Sequence, residues 1–360
     1  MRSDSDPESV DAVRSSEAIH DKDVSPAAEQ TGTYRWLRTA FRAAGALVIL
    51  GGGGVAVHAI LTRREKKLLR PPGRMIEVHG HMMHLLATGA GSPTVVLETG
   101  TAGYSGIWER VQHEIEKHTR VVSYDRAGLG FSEKASSPRD AISIARELDE
   151  LLSRAGENPP YILVGHSFGG LLVMEYAHLY PEKTAGIVLA DPHHPDQIKR
   201  SYELRKSTEN FRRFFHAAAA ASHFGIMRVA DLLSSMTEGL SQNERTRARM
   251  FFVSNRHLKN SARELDTLSE TTEQARSIKD FGAIPLLILS AAEPQEAWVT
   301  EFQNLHLEMA RLSTRGSHRI VPGAEHLNII TRRESAEHVS RAILELVRRY
   351  GGPDSGDKYS

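Results

Sequence analysis

From residue 74 onward the chain alternates short apolar runs with amphipathic stretches. Thr94-Val95-Val96-Leu97, Arg120–Tyr124, Tyr161–Val164, Ala185–Ala190, Ile284–Leu289 and Arg319–Val321 are the apolar runs, each of strand length. Between them, Ile107/Val111/Ile115, the segment Ala141–Leu152, and Leu171/Leu172/Met174/Ala177 follow helical spacing, which stacks their side chains on one face. Strands alternating with helices predict a parallel sheet covered on both faces. Ahead of these, Arg74–Val78 and His81–Leu86 flank His79-Gly80 and predict a hairpin.

The rhythm breaks between Pro192 and about Gly282. There the pattern is helical (Ala217–Ala221, Met227–Leu233, Glu244–Phe252) with no strand, so a helical cap of about 192–282 is expected between two sheet strands. Its apolar residues Phe211, Phe214, Phe215, Phe224, Met227, Met250, Phe251 and Phe252 belong mostly in the cap's own core, with some left to line a pocket. Helices are expected over Val299–Leu312 and Glu334–Arg349, and the tail 351–360 is polar.

The N-terminal region is different in kind. Residues 1–33 are polar and acidic, with too little apolar surface to fold. Ala43 to Leu61 carries no formal charge. At ~1.5 Å per residue this run reaches about 28 Å, close to a bilayer core. Arg35, Arg38 and Arg42 precede it, and Arg63, Arg64, Lys66, Lys67 and Arg70 follow. Residues 34–70 therefore read as one transmembrane helix (about 43–61) with basic flanks, a single-pass anchor whose orientation two basic flanks leave open.

Composition narrows the chemistry. The 360 residues hold 45 Lys+Arg against 45 Asp+Glu, a net charge of zero that gives no nucleic-acid footprint. With no cysteine, disulfides, thiolate zinc sites and a cysteine nucleophile are excluded. His81-Met82-Met83-His84 has metal-like spacing, but on a strand its histidines face opposite sides, so no metal is expected there. No cofactor is expected either.

The sharpest chemical signal is Gly165-His166-Ser167-Phe168-Gly169, at the end of an apolar run and the start of a helical pattern. Such a strand–turn–helix holds the serine in strained backbone and lifts its hydroxyl off the sheet. Glycines two before and two after avoid Cβ clashes, and the helix N-terminus faces the place where negative charge develops.

Three stretches together resemble the α/β-hydrolase family: Gly165–Gly170, the upstream loop Ser123-Tyr124-Asp125-Arg126-Ala127-Gly128-Leu129-Gly130-Phe131-Ser132, and Gly323-Ala324-Glu325-His326 before the last helix. The resemblance covers roughly residues 73–349. It implies an α/β fold with an eight-stranded, mostly parallel sheet, a cap after strand 6, and a domain of about 71–350. It also implies the order nucleophile, acid, histidine, and so Ser167 as nucleophile with His326 as its base. For the acid it leaves two positions: Asp191, at the end of the strand before the cap, and Glu293, in the loop after the next strand. Asp191 is preferred. The oxyanion hole falls to the backbone N–H groups of Phe168 and Thr101, although Thr99-Gly100 replaces the family's common His-Gly. Asp125 and Arg126 are expected to brace their loop. His193 and His194, at the cap hinge, are expected either to touch substrate or, as the preferred reading, to be solvated. The implied activity is serine hydrolysis of a carboxylic ester, plausibly lipid-derived. Acyl transfer or another hydrolysis through the same residues, and a non-catalytic binding protein, are the alternatives. A serine nucleophile sets the chain apart from members that attack with a carboxylate. Substrate identity and oligomeric state are not legible.

Overall fold

A computed structural model of the chain describes residues 59–64, 70–230, 234–292 and 297–351, all within one compact unit, Gly52–Ser360. The acidic segment, residues 43–58 of the uncharged run, Glu293 and residues 352–360 lie outside these. Among the described residues no helix is long and apolar enough to cross a membrane.

Eight strands form one sheet: β1 (Arg74–Val78), β2 (His81–Thr88), β3 (Thr94–Glu98), β4 (Val121–Tyr124), β5 (Tyr161–His166), β6 (Thr184–Ala190), β7 (Leu286–Ala291) and β8 (Gly316–Val321). Their spatial order is β1-β2-β4-β3-β5-β6-β7-β8. β1 and β2 are a hairpin closed by His79 and Gly80, both at positive φ (49° and 82°), as a two-residue turn between right-twisted strands requires. β2 pairs antiparallel with β4, and every later pairing is parallel.

The central strands are mostly apolar because both of their faces are covered. Val95, Leu97, Ile162, Val164, Val188 and Leu287 enter one core cluster, and their neighbours Val96, Leu163, Ile187 and Ile288 enter the other. Helices α1 (Glu109–Ile115), α2 (Ala141–Ala155) and α3 (Phe168–Leu179) cross between strands. The Asp140 side chain caps α2 by accepting from Ser143 N–H at 3.1 Å.

Between β6 and β7 the chain is helical, and this is the cap: α4 (Tyr202–Ser222), α5 (Gln242–Phe252), α6 (Asn255–Asp266) and α7 (Leu268–Ser277), with short helices at Gln197–Arg200 and Met227–Ala230. Phe215, Met227, Phe251 and Phe252 are buried, whereas Phe211 and Phe224 are exposed. After the cap come α8 (Ala297–Ala310) and α9 (Arg333–Gly351).

β8 is longer than the apolar pattern predicts. It begins at Gly316 rather than Arg319, because this edge strand is exposed along most of its length and its polar residues carry no burial signal. At the elbow, a Cβ on Gly165 would lie 2.6 Å from the Gly169 carbonyl oxygen, the close approach anticipated. Gly169 is constrained differently: its added Cβ would meet the Thr99 and Glu98 carbonyls, so β3 sets that limit.

Replacing Gly165 with Ala forces the elbow apart without touching the reactive groups. Urea unfolding of Gly165→Ala is expected to show a loss of about 1–3 kcal/mol, the usual cost of overpacking; an unchanged midpoint would mean that the elbow is not close-packed.

Candidate active site

Three chain segments converge at the C-terminal ends of the strands. Ser167 follows β5 with φ 53° and ψ −124°, a conformation that an L-residue adopts only where its surroundings enforce it. Asp191 follows β6, also at positive φ (45°). His326 lies in the loop after β8. Its Nε2 is 3.0 Å from Ser167 Oγ, and its Nδ1 is 2.6 Å from Asp191 Oδ2. The other Asp191 oxygen accepts the Ala291 N–H at 2.8 Å. Of the two acid positions read from the sequence, the structure brings Asp191 to the histidine. Burial alone would push the Asp191 carboxyl up, but the His326 hydrogen bond and the imidazoles of His326 and His306 outweigh it and hold the group at about 2.

Phe168 is the first residue of α3, so its N–H has no partner within the helix. Thr101 stands in the loop after β3, which passes close to the elbow: a Cβ on Gly100 would lie 3.0 Å from Ser167 Cβ. Ser167, His326, Phe168 and Thr101 all line one cavity of about 460 Å³, whose remaining walls are largely apolar and include Phe211, Phe252 and Phe302.

Sequence reasoning missed the groups that hold these residues in place. The Arg126 guanidinium is fully buried. It donates to Glu98 Oε1 (2.5 Å), to both Glu264 oxygens (2.7 and 2.8 Å), and to the carbonyls of Thr99 (2.7 Å) and Gly100 (2.9 Å). It also lies 5.6 Å from the centroid of the Phe168 ring. Glu264 belongs to α6, so a single cation ties β3, the Thr101 loop and the cap together. His257, also on α6, donates from Nε2 to Ala102 O (2.9 Å) and accepts the Gly130 N–H at Nδ1 (3.1 Å). Asp125 does brace its loop, as expected, whereas the Arg126 side chain reaches out of it to β3 and the cap. Asp125 accepts from Ser105 N–H (2.6 Å) and Phe131 N–H (2.8 Å) and faces His84 Nδ1 at 3.0 Å. His84 donates its other nitrogen to Pro72 O, while His81 faces Glu147, so the two histidines of the metal-like spacing have separate partners.

Behind the acid, His306 donates from Nε2 to Pro192 O (2.8 Å), and its Nδ1 is 2.5 Å from Ser290 Oγ, which is 2.7 Å from His318 Nε2. This chain pins the strained Asp191–Pro192 turn. His193 and His194 correct an expectation. His193 lines the cavity, with its backbone N–H bonded to Ser167 O at 3.0 Å, and His194 is buried, accepting the Asp196 N–H at Nδ1 (3.0 Å). The cap folds back directly over the end of β6, which buries His194 and leaves His193 half-buried at the cavity wall.

A family model described as the alpha/beta hydrolase fold matches residues 93–332. The chain is 29% identical over 186 residues to the uncharacterized protein YbdG of Bacillus subtilis, a match covering 51% of this chain and 57% of that protein. The chain thus spans little more than half the length of that relative. Its structure superposes on an epoxide hydrolase from Vigna radiata with a TM-score of 0.63 at 18% identity, covering 77% of this chain and 97% of that one. An esterase from Thermogutta terrifontis gives 0.57 at 22% identity, covering 77% and 98%. At such identities these two structures share the fold.

Removing the buried guanidinium leaves Glu98 and Glu264 unpaired. Arg126→Ala should lose about 3–5 kcal/mol in urea unfolding, and Arg126→Lys should recover only part of it, because an ammonium cannot span five acceptors. Asp191 sets an acid limit. A carboxyl held at about 2 instead of 3.8 contributes stability that is complete above pH 4 and is lost as pH falls towards 2. Unfolding free energy measured across that window should therefore fall more steeply for the native chain than for Asp191→Asn. Parallel slopes would show that Asp191 is not held in this way.

Proposed function

The chain belongs to the α/β-hydrolase fold family, and we propose that within it the protein is a serine hydrolase of carboxylic esters. The observation that carries this reading is the unbroken hydrogen-bonded path from Ser167 Oγ through His326 to Asp191. His326 Nε2 takes the Ser167 proton as Oγ attacks the ester carbonyl carbon. Asp191 accepts from Nδ1–H, which fixes the tautomer that leaves Nε2 free and stabilises the imidazolium that forms. The carbonyl oxygen becomes an oxyanion, held by the Phe168 and Thr101 N–H groups. On collapse the C–O bond breaks, His326 returns its proton to the departing alcohol, and Ser167 carries the acyl group. Water, deprotonated by His326, then releases the acid and restores Ser167.

An apolar cavity of about 460 Å³ suits a substrate with a substantial hydrocarbon part, which favours lipid-derived esters among the possibilities. The uncharged run 43–61 supports a further part of the proposal, that the enzyme is held at a membrane by a single span.

A fluorophosphonate probe tests the reading. It should label the native chain and fail to label Ser167→Ala, while His326→Ala and Asp191→Asn should fall about 10³-fold or more in labelling rate and in kcat for a p-nitrophenyl ester. Well-folded native protein that neither labels nor turns over the ester would overturn the proposal.

A further inference from the structure

Thr62 begins the argument, because it is the first residue after the uncharged run. It accepts a hydrogen bond at its hydroxyl from the Arg228 guanidinium at 2.9 Å. Arg228 belongs to the cap, in the short helix Met227–Ala230. The end of the run therefore meets the folded body at the cap. Large apolar side chains stand exposed on both sides of this contact: Ile60 (53%) and Leu61 (37%) on one, Phe224 (55%) and Ile226 (53%) on the other. Met227, between them and Arg228, is buried and roots the loop in the core. Arg63 and Arg64 are exposed beside Thr62, and the stretch 62–70 holds five basic residues (Arg63, Arg64, Lys66, Lys67, Arg70) against one acid, Glu65.

Apolar side chains bordered by cations are the composition of a bilayer interface contact. The former enter the headgroup–acyl boundary, and the latter meet anionic headgroups. We propose that Phe224 and Ile226, together with Ile60 and Leu61, form a membrane-docking surface that seats the cap on the interface of an anionic bilayer. This rests on the single-span reading of residues 43–61. It adds an orientation, cap towards the lipid. Helix α4 then links the two sites, since Leu204 and Phe211 line the cavity and Phe224 lies just beyond the C-terminal end of the helix. At ~1.5 Å per residue, the thirteen positions from Phe211 to Phe224 separate the cavity wall from the bilayer by about 20 Å.

The absence of cysteine allows site-specific probes in the full-length chain. Phe224→Cys, Ile226→Cys and, as a reference, Ile320→Cys on the exposed edge strand would each carry bimane, in nanodiscs of phosphatidylcholine and phosphatidylglycerol containing headgroup-region spin-labelled lipid. Thermal unfolding checks that each variant is folded. The proposal expects quenching at 224 and 226 about twofold or more above that at 320, since docked apolar groups lie about 5–10 Å into the interface. It also expects Phe224→Glu to abolish quenching of bimane at position 226 in Ile226→Cys, while bimane at position 60 in Ile60→Cys, inside the span, stays quenched. Equal quenching at 224, 226 and 320 in a chain that resists alkaline carbonate extraction overturns the docking surface and leaves the anchor standing. Equal quenching in a chain that carbonate releases overturns both. Probes at 224 and 226 shielded from aqueous iodide yet untouched by lipid quencher would mean that protein, such as a second copy, covers the face, and would also overturn the proposal.

Discussion

The buried charge of Arg126 is the constraint on which the rest of the active-site architecture depends. A guanidinium with no access to water is tolerable only if its donors are satisfied, and here they are shared among elements far apart in sequence: Glu98 at the end of β3, the carbonyls of Thr99 and Gly100, and Glu264 of the cap. Burial pushes Glu98 up, and Arg126 and the Tyr124 hydroxyl pull against that rise. The geometry leaves little freedom. If α6 moved away, Glu264 would abandon a buried cation; if the Thr99–Gly100 loop moved, two carbonyls would lose their donor. The cap is thereby coupled to the loop that presents the Thr101 N–H, and His257 repeats the coupling one residue further on through Ala102 O.

That coupling matters because the reacting groups sit on strained backbone. Ser167 and Asp191 both have positive φ, and neither is glycine. Each is held from several sides. Asp191 N–H bonds to Leu289 O at 2.7 Å, Ala291 N–H bonds to its carboxylate, and His306 fixes the following carbonyl. Ser167 bonds through its carbonyl to Gly170 N–H and His193 N–H. Strain that the surroundings over-determine keeps Ser167 Oγ aimed at His326 before any substrate arrives, which is the preorganisation the proposed acyl transfer would need.

Much of this arrangement was legible in the sequence, and the boundary has physical causes. Buried parallel strands must be apolar on both faces, so β3 to β7 stand out, and the elbow stands out because its geometry admits few residue types. β8 was read short because an exposed edge carries no burial signal. The acid stayed ambiguous between Asp191 and Glu293 because chain order places both near the same strand ends, and only spatial convergence separates Asp191. Glu98, Glu264, His257 and His306 left no local trace. Each is a polar residue whose partner lies between 16 and 155 positions away, as with His306 and Ser290 or His257 and Ala102, so nothing in its own neighbourhood announces burial. His193 and His194 misled for the same reason: polar residues after a strand read as solvated until a cap is laid over them.

The histidines around Asp191 show how the protein directs a single negative charge. His166, His193 and His306 are all lowered by burial, to about 4, about 3 and about 4, so at neutral pH they are uncharged. His306 lies within 4.0 Å of Asp191 Oδ1, yet it spends its Nε2–H on Pro192 and makes no hydrogen bond to the carboxylate, which accepts from His326 and Ala291 instead. His166 packs its ring 5.1 Å from that of His326 and bonds to His326 O at 2.9 Å. Were any of these rings cationic, it would draw on the same carboxylate and repel the imidazolium forming on His326. Desolvation thus serves two ends: it holds the surrounding imidazoles neutral, and it concentrates the field of Asp191 on His326, the ring to which the proposed mechanism assigns the proton transfers.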